Sequence, residues 1–191
     1  RGIDFVHDSG HQERFLFPEM SSGGAALFDM DADGDLDAYL VQGGEILADP
    51  ASRPANQLYR NLGGGRFENA SAGSGAEDRG YGMGVAAGDY DNDGLTDLYV
   101  TNLGANTLLR NLGDGRFEDR SASAGVSGDD WSASAAFLDI DADGWLDLYV
   151  VNYVHWNPDL ERDCYTDAGR PDYCGPNSYA SPAQDRLYRN N

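Results

Sequence analysis

Three nine-residue stretches hold the side chains best suited to chemistry: Asp29 to Asp37 (DMDADGDLD), Asp89 to Asp97 (DYDNDGLTD) and Asp139 to Asp147 (DIDADGWLD). Each reads D-x-D-x-D-G-x-x-D. Carboxylates at positions 1, 3, 5 and 9 can converge on one point if the backbone wraps tightly around it. Glycine at position 6 permits the turn, and the carbonyl of position 7 adds an oxygen. Hard oxygen donors in that number suit Ca²⁺, which takes about 6–8 of them, better than Mg²⁺, which keeps its waters in a strict octahedron. The expected ligands are Asp29, Asp31, Asp33 and Asp37 with the Asp35 carbonyl. The other two sets are Asp89, Asp91, Asp93 and Asp97 with Leu95, and Asp139, Asp141, Asp143 and Asp147 with Trp145. An acidic turn that binds nothing is the plainer alternative. Three copies in register weigh against it, since crowded carboxylates repel unless neutralised. Three calcium ions are therefore expected.

An EF-hand loop begins the same way but needs a glutamate at position 12 and a helix on each side. Position 12 here is Leu40, Val100 and Val150, inside Ala-Tyr-Leu-Val, Leu-Tyr-Val-Thr and Leu-Tyr-Val-Val runs. Such β-branched and aromatic runs read as strands, so the loops join strand to strand.

The elements that position them recur. Each loop is followed by a second block: Asn56 to Asn61, Asn106 to Asn111, and Asp185 to Asn190. After the first two come Gly63-Gly64-Gly65-Arg66-Phe67-Glu68 and Gly113-Asp114-Gly115-Arg116-Phe117-Glu118. Gly-Gly and Asp-Gly between such segments are hairpin turns. One repeat is thus four short strands: A, rich in Gly and Ala, ending at the acidic loop; B, Asp-Leu-Tyr-Val-like; C, Leu-Tyr-Arg-Asn-like; and D, Arg-Phe-Glu-like. Asn61 to Asp89 and Asn111 to Asp139 are both 28 residues, so length varies only between B and C.

Four-stranded antiparallel units at this period are blades of a β-propeller. The fold class is all-β, with about three blades. Residues 1–22 form an N-terminal strand and lead-in, with Gly2-Ile3-Asp4-Phe5 as a strand D. Blades cover residues 23–80, 81–130 and 131–191, the last with an insertion at 153–183. Propellers have about 4–8 blades, so the chain reads as part of a longer protein or as completed by partners. In a meander the acidic loops and C–D hairpins share one face, and the variable B–C connections occupy the other.

With 33 acidic and 13 basic residues among 191, the net charge is −20, and thirteen of the acids lie in the three loops. Such a chain repels nucleic acid phosphates and anionic membranes. No apolar run reaches the roughly 20 residues of a membrane span. Cys164 and Cys174 sit in an irregular stretch with little core, where a disulfide would constrain the segment. Two free thiols are the alternative, and zinc is disfavoured without C-x-x-C spacing or a nearby histidine pair. His7 and His11 read as ordinary surface histidines. Asn69-Ala70-Ser71 is a glycosylation sequon that matters only in a eukaryotic secretory route. No nucleophile motif appears.

The loop between strands A and B resembles the FG-GAP, or VCBS, repeat of integrin-α-type propellers. The blocks Leu58-Tyr59-Arg60-Asn61-Leu62-Gly63, Tyr81-Gly82-Met83-Gly84-Val85-Ala86 and Tyr173-Cys174-Gly175-Pro176 are similar to the N-terminal repeats of the cartilage-acidic-protein family, whose bacterial members often carry an ASPIC/UnbV segment. The resemblance covers essentially the whole chain. It implies a secreted or periplasmic, calcium-binding, seven-bladed propeller, a bonded Cys164–Cys174 pair, and no reaction. The Phe-Gly and Gly-Ala-Pro signatures are absent, as are C-terminal repeats and an ASPIC segment.

Two classes of function follow. One is a non-catalytic extracellular module that recognises protein or glycan, or scaffolds a larger complex. The other is part of a carbohydrate-active propeller enzyme. The expected contact residues are Trp131, His155, Trp156, Tyr165, Tyr173 and Tyr179, which serve equally well as a packed cap, since rigid aromatics anchor loops as readily as partners.

Overall fold

The computed structural model describes residues 1–191 as an all-β chain. In the first repeat β1 (Gly24–Phe28), β2 (Asp37–Val41), β3 (Gln57–Asn61) and β4 (Phe67–Asn69) form one antiparallel sheet in that order. The second repeats the arrangement with β5 (Tyr81–Gly88), β6 (Asp97–Leu103), β7 (Thr107–Asn111) and β8 (Phe117–Asp119). The third contains β9 (Ser132–Leu138) and β10 (Asp147–Asn152). Its insertion forms a small hairpin of β11 (Cys164–Tyr165) and β12 (Pro171–Asp172), after which β13 (Arg186–Tyr188) pairs with β10.

The A strands lie closest together. A Cβ on Gly24 would stand 2.9 Å from the Gly84 Cα, and one on Gly88 would stand 2.9 Å from the Phe137 Cβ. The small residues of strand A are what allow the three sheets to converge along these edges. Each seam between sheets is apolar. Phe28, Met30, Tyr39, Val41 and Leu58 of the first repeat meet Leu98, Val100, Leu109 and Phe117 of the second. Tyr99 and Leu108 of the second meet Leu148 and Val150 of the third. The connecting segment seals each seam, with the Tyr39 hydroxyl donating to the Ala76 carbonyl (2.7 Å) and that of Tyr99 to Val126 (2.6 Å). On the third repeat the equivalent face is open: Leu138, Ile140, Tyr149 and Leu187 are 37%, 53%, 38% and 48% exposed.

The N-terminal segment departs from the expected strand D, because residues 1–16 form no strand and a 3₁₀ turn, Phe17–Met20, follows. The Phe67 amide donates to the Arg1 carbonyl (3.0 Å), just as Phe117 donates to Ser74 (2.7 Å). Gly2 and Gly75 have φ of 97° and 80°, and a Cβ on either would collide with the carbonyl of that same phenylalanine. Arg1-Gly2-Ile3 is therefore the counterpart of Ser74-Gly75-Ala76, the sealing segment that crosses the next strand D.

On the face away from the acidic loops, a second core gathers Leu16, Phe17, Ile46, Tyr81, Met83, Trp131, Val154, Cys174 and Tyr179. Phe17 is its centre, stacked on Tyr179 (4.8 Å) and edge-on to Trp131 (5.2 Å). Glu161 ties the insertion down by accepting from the Phe17 amide and the Trp156 indole, both at 2.9 Å. Cys164 and Cys174 are joined in a disulfide (Cα–Cα 5.2 Å), and no free cysteine is present.

Candidate metal centre

The same backbone geometry recurs in all three loops. The first aspartate accepts the amides of positions 5 and 6: Asp29 from Asp33 (3.2 Å) and Gly34 (2.9 Å), Asp89 from Asp93 and Gly94, and Asp139 from Asp143 and Gly144. The fifth accepts the amide of position 7, so that Asp33 receives Asp35, Asp93 receives Leu95 and Asp143 receives Trp145. Position 4 is left-handed in each loop, with φ of 61° at Ala32, 55° at Asn92 and 59° at Ala142. That conformation costs a non-glycine residue about 1–2 kcal/mol. Three copies in register mean that the loop shape, rather than the residue, dictates it; strain of this kind collects at functional sites.

The ninth aspartate is a buried strut. Asp37 accepts from the amides of Met30 (2.8 Å) and Asn61 (2.7 Å), Asp97 from Tyr90 and Asn111, and Asp147 from Ile140 and Asn190. It thereby locks the loop's second residue to the end of strand C. Desolvation pushes the Asp97 carboxyl up to about 7, Asp91 and Asp93 add repulsion, and the two amide bonds only partly oppose them. Asp37 is raised for the same leading reason. A bound cation reverses this balance by favouring the ionised form.

The third aspartate is paired to an arginine at the end of strand C. Arg60 Nε lies 3.1 Å from Asp31 Oδ2 and Arg110 Nε 2.5 Å from Asp91 Oδ2, while Arg189 pairs with Asp141. The other oxygen of the pair, Oδ1 of Asp31 and of Asp91, is buried with no hydrogen-bond partner. A buried acceptor left without a partner is costly, and a cation among the carboxylates supplies one. Carboxylate oxygens of Asp29, Asp31 and Asp33 lie within 4.8 Å of one another, as do those of Asp89, Asp91 and Asp97, and of Asp139, Asp141 and Asp143. The donor set therefore fits a hard divalent ion. Asp93 points instead to Arg110 (2.9 Å).

Sequence reasoning missed the arginines and the asparagines beside them. Their signal was present, since Arg-Asn closes strand C in every repeat: Arg60-Asn61, Arg110-Asn111 and Arg189-Asn190.

The aromatic residues expected on a contact surface divide. Trp131 (2% exposed) and Tyr179 (9%) are interior to the cap, a correction caused by Phe17 lying between them. Tyr173 is half-buried and its hydroxyl donates to Glu19 (2.9 Å). Tyr165 and His155 are exposed, and Trp156 is half-buried. His155 and Trp156 line a cleft of about 450 Å³ with Asp129, Asp130 and Leu103. His7 and His11 do not converge: one bonds Ser22 and the other Glu19.

Antiparallel meanders with an acidic loop between their first two strands define a class of acidic-loop β-repeat proteins. Residues 29–100 and 89–150 match the family described as FG-GAP-like repeat, in two overlapping copies that take in all three loops, and the chain belongs to that family. No curated protein matches the chain.

Proposed function

We propose that this chain is a calcium-binding, non-catalytic β-propeller module of the extracellular or periplasmic space, which recognises protein or glycan as part of a larger assembly. The metal loops carry the reading. Their register, their left-handed fourth residues and the partnerless oxygens of Asp31 and Asp91 all favour a resident cation. Asp29, Asp31 and Asp33 hold it in the first loop, Asp89, Asp91 and Asp97 in the second, and Asp139, Asp141 and Asp143 in the third, while Asp37 and Asp147 brace their loops from behind. A bound Ca²⁺ supplies positive charge and oxygen cross-links, and no residue here is assigned a reaction.

The disulfide supports an oxidising compartment, and no helix is long and apolar enough to cross a membrane. The open face of the third repeat supports further blades beyond it, as in a seven-bladed ring, because the positions of Tyr149 and Leu187 are buried at both internal seams, by Tyr39 and Leu58 in the first repeat and Tyr99 and Leu108 in the second. The Leu58 to Gly63, Tyr81 to Ala86 and Tyr173 to Pro176 blocks favour the cartilage-acidic-protein, ASPIC/UnbV-type branch of the family. The cleft lined by His155 and Trp156 is the preferred contact region, and the exposed Tyr165 is a separate candidate contact.

Calcium titration of chelator-treated protein, followed by calorimetry and metal analysis, tests the reading. Three equivalents should bind and the melting temperature should rise with free Ca²⁺, since an ion held only by the folded state stabilises it by mass action. An unchanged melting temperature and no bound metal would sink it.

A further inference from the structure

The metal loops are joined across the seams. The Asn111 side-chain amide donates twice, to the Met30 carbonyl in the first loop (3.0 Å) and to the Thr96 carbonyl in its own (3.0 Å). Met30 lies between ligands Asp29 and Asp31, and Thr96 directly precedes Asp97. Asn190 does the same one seam on, donating to Tyr90 in the second loop (2.7 Å) and Leu146 in the third (3.3 Å). Tyr90 lies between Asp89 and Asp91. A direct loop-to-loop bond reinforces that seam, from the Asn92 amide to the Gly144 carbonyl (3.0 Å). The equivalents of Asn92 are Ala32 and Ala142, which cannot make it. Asn61 is the internal contrast: its amide donates to Leu36 of its own loop and to no other.

We infer that Asn111, Asn190 and Asn92 are coupling residues, which make cation binding in one loop order its neighbour. This rests on the metal reading above. The Asn111 and Asn190 amides each grip the backbone between two ligands on one side and the residue before the buried aspartate on the other, and Asn92 ties its own loop to the glycine of the next. Closing either loop around an ion therefore fixes an acceptor that the other needs. Coupling is reciprocal, so each site raises the affinity of the next by the same factor, on the order of fivefold at the lower end of the usual range. The seam between the second and third loops, with two links, is coupled more strongly than the seam between the first and second.

Terbium, a luminescent stand-in for calcium, separates the sites. Trp145 is the only tryptophan within a metal loop, so tryptophan-sensitised terbium emission reports the third loop. Disabling the second loop with Asp91→Asn should weaken terbium binding at the third about fivefold in the native background. In an Asn92→Ala/Asn190→Ala background the same substitution should change it by less than about twofold. Asn92→Ala installs the residue already present at the equivalent left-handed positions, so it also serves alone and should remove part of the effect. Asn61→Ala, which breaks only bonds within its own repeat, should leave the dependence intact. Equal weakening in both backgrounds, or none in the native one, overturns the coupling and leaves the metal sites standing. Absence of any terbium emission overturns the metal reading and the coupling together.

Discussion

Asp97 shows how a single residue in these loops can report the presence of metal. Its carboxyl is raised from 3.8 to about 7, chiefly by desolvation. In the metal-free chain the folded state therefore keeps a proton that the unfolded state releases near its ordinary value. The sign follows from linkage: this contribution is full below the unfolded value and is lost as pH rises through about 7. The metal-free melting temperature should fall between about pH 5 and pH 8, and Asp97→Asn should flatten that slope. In excess Ca²⁺ the dependence should reverse, because protons then compete with the ion for the same oxygens. Thermal melts at several pH values, with and without calcium, check both directions. The sequence made the aspartates legible because nine-residue loops in triplicate leave few other uses for them. It concealed their unequal roles. Asp37 and Asp31 look alike in the string, yet one accepts two backbone amides and the other faces an arginine, and only the fold brings strand C beside the loop to decide this.

At the scale of elements, the four strands of the first two repeats and the three of the third are legible because their hydrophobic runs and turns recur at a fixed spacing. The segments between them are not. Residues 1–5 have the alternation of a strand but lie across β4 as a sealing segment, held by one backbone bond. The cap was half legible. From sequence Trp131 and Tyr179 serve equally as anchors or contacts, and Phe17, more than a hundred residues upstream, decides for the former. Deleting a buried phenylalanine side chain costs about 3–5 kcal/mol. Phe17→Ala should lower the denaturant midpoint accordingly and expose the 153–183 insertion to proteolysis, while leaving the acidic loops on the opposite face able to bind metal. Limited digestion followed by mass mapping, with calcium binding measured in parallel, checks this.

At the scale of the whole molecule, one apolar sheet face is uncovered and the net charge is −20. Leu187 occupies the position that Leu58 and Leu108 hold in the earlier repeats, where both are buried. Leu58→Ala or Leu108→Ala should cost about 2–5 kcal/mol. Leu187→Lys, or Ile140→Lys beside it, should stay within about 0.5 kcal/mol and reduce binding of a hydrophobic dye. Equilibrium unfolding of the four variants measures the contrast. Equal losses at all three leucines would mean that the third face is already covered in solution.

The sealing segments also set where the chain can be cut. Ser74-Gly75-Ala76 belongs by sequence to the first repeat but closes over Phe117 of the second. The piece that folds is therefore offset from the piece that repeats. A fragment beginning at Tyr81 strips Phe117 of its cover, whereas one beginning at Ser74 carries its own lid. Dissection of this chain, or its shuffling into new arrays, should place the cut between the first and second repeats about seven residues before strand A of the second, at Ser74, and not at the strand itself.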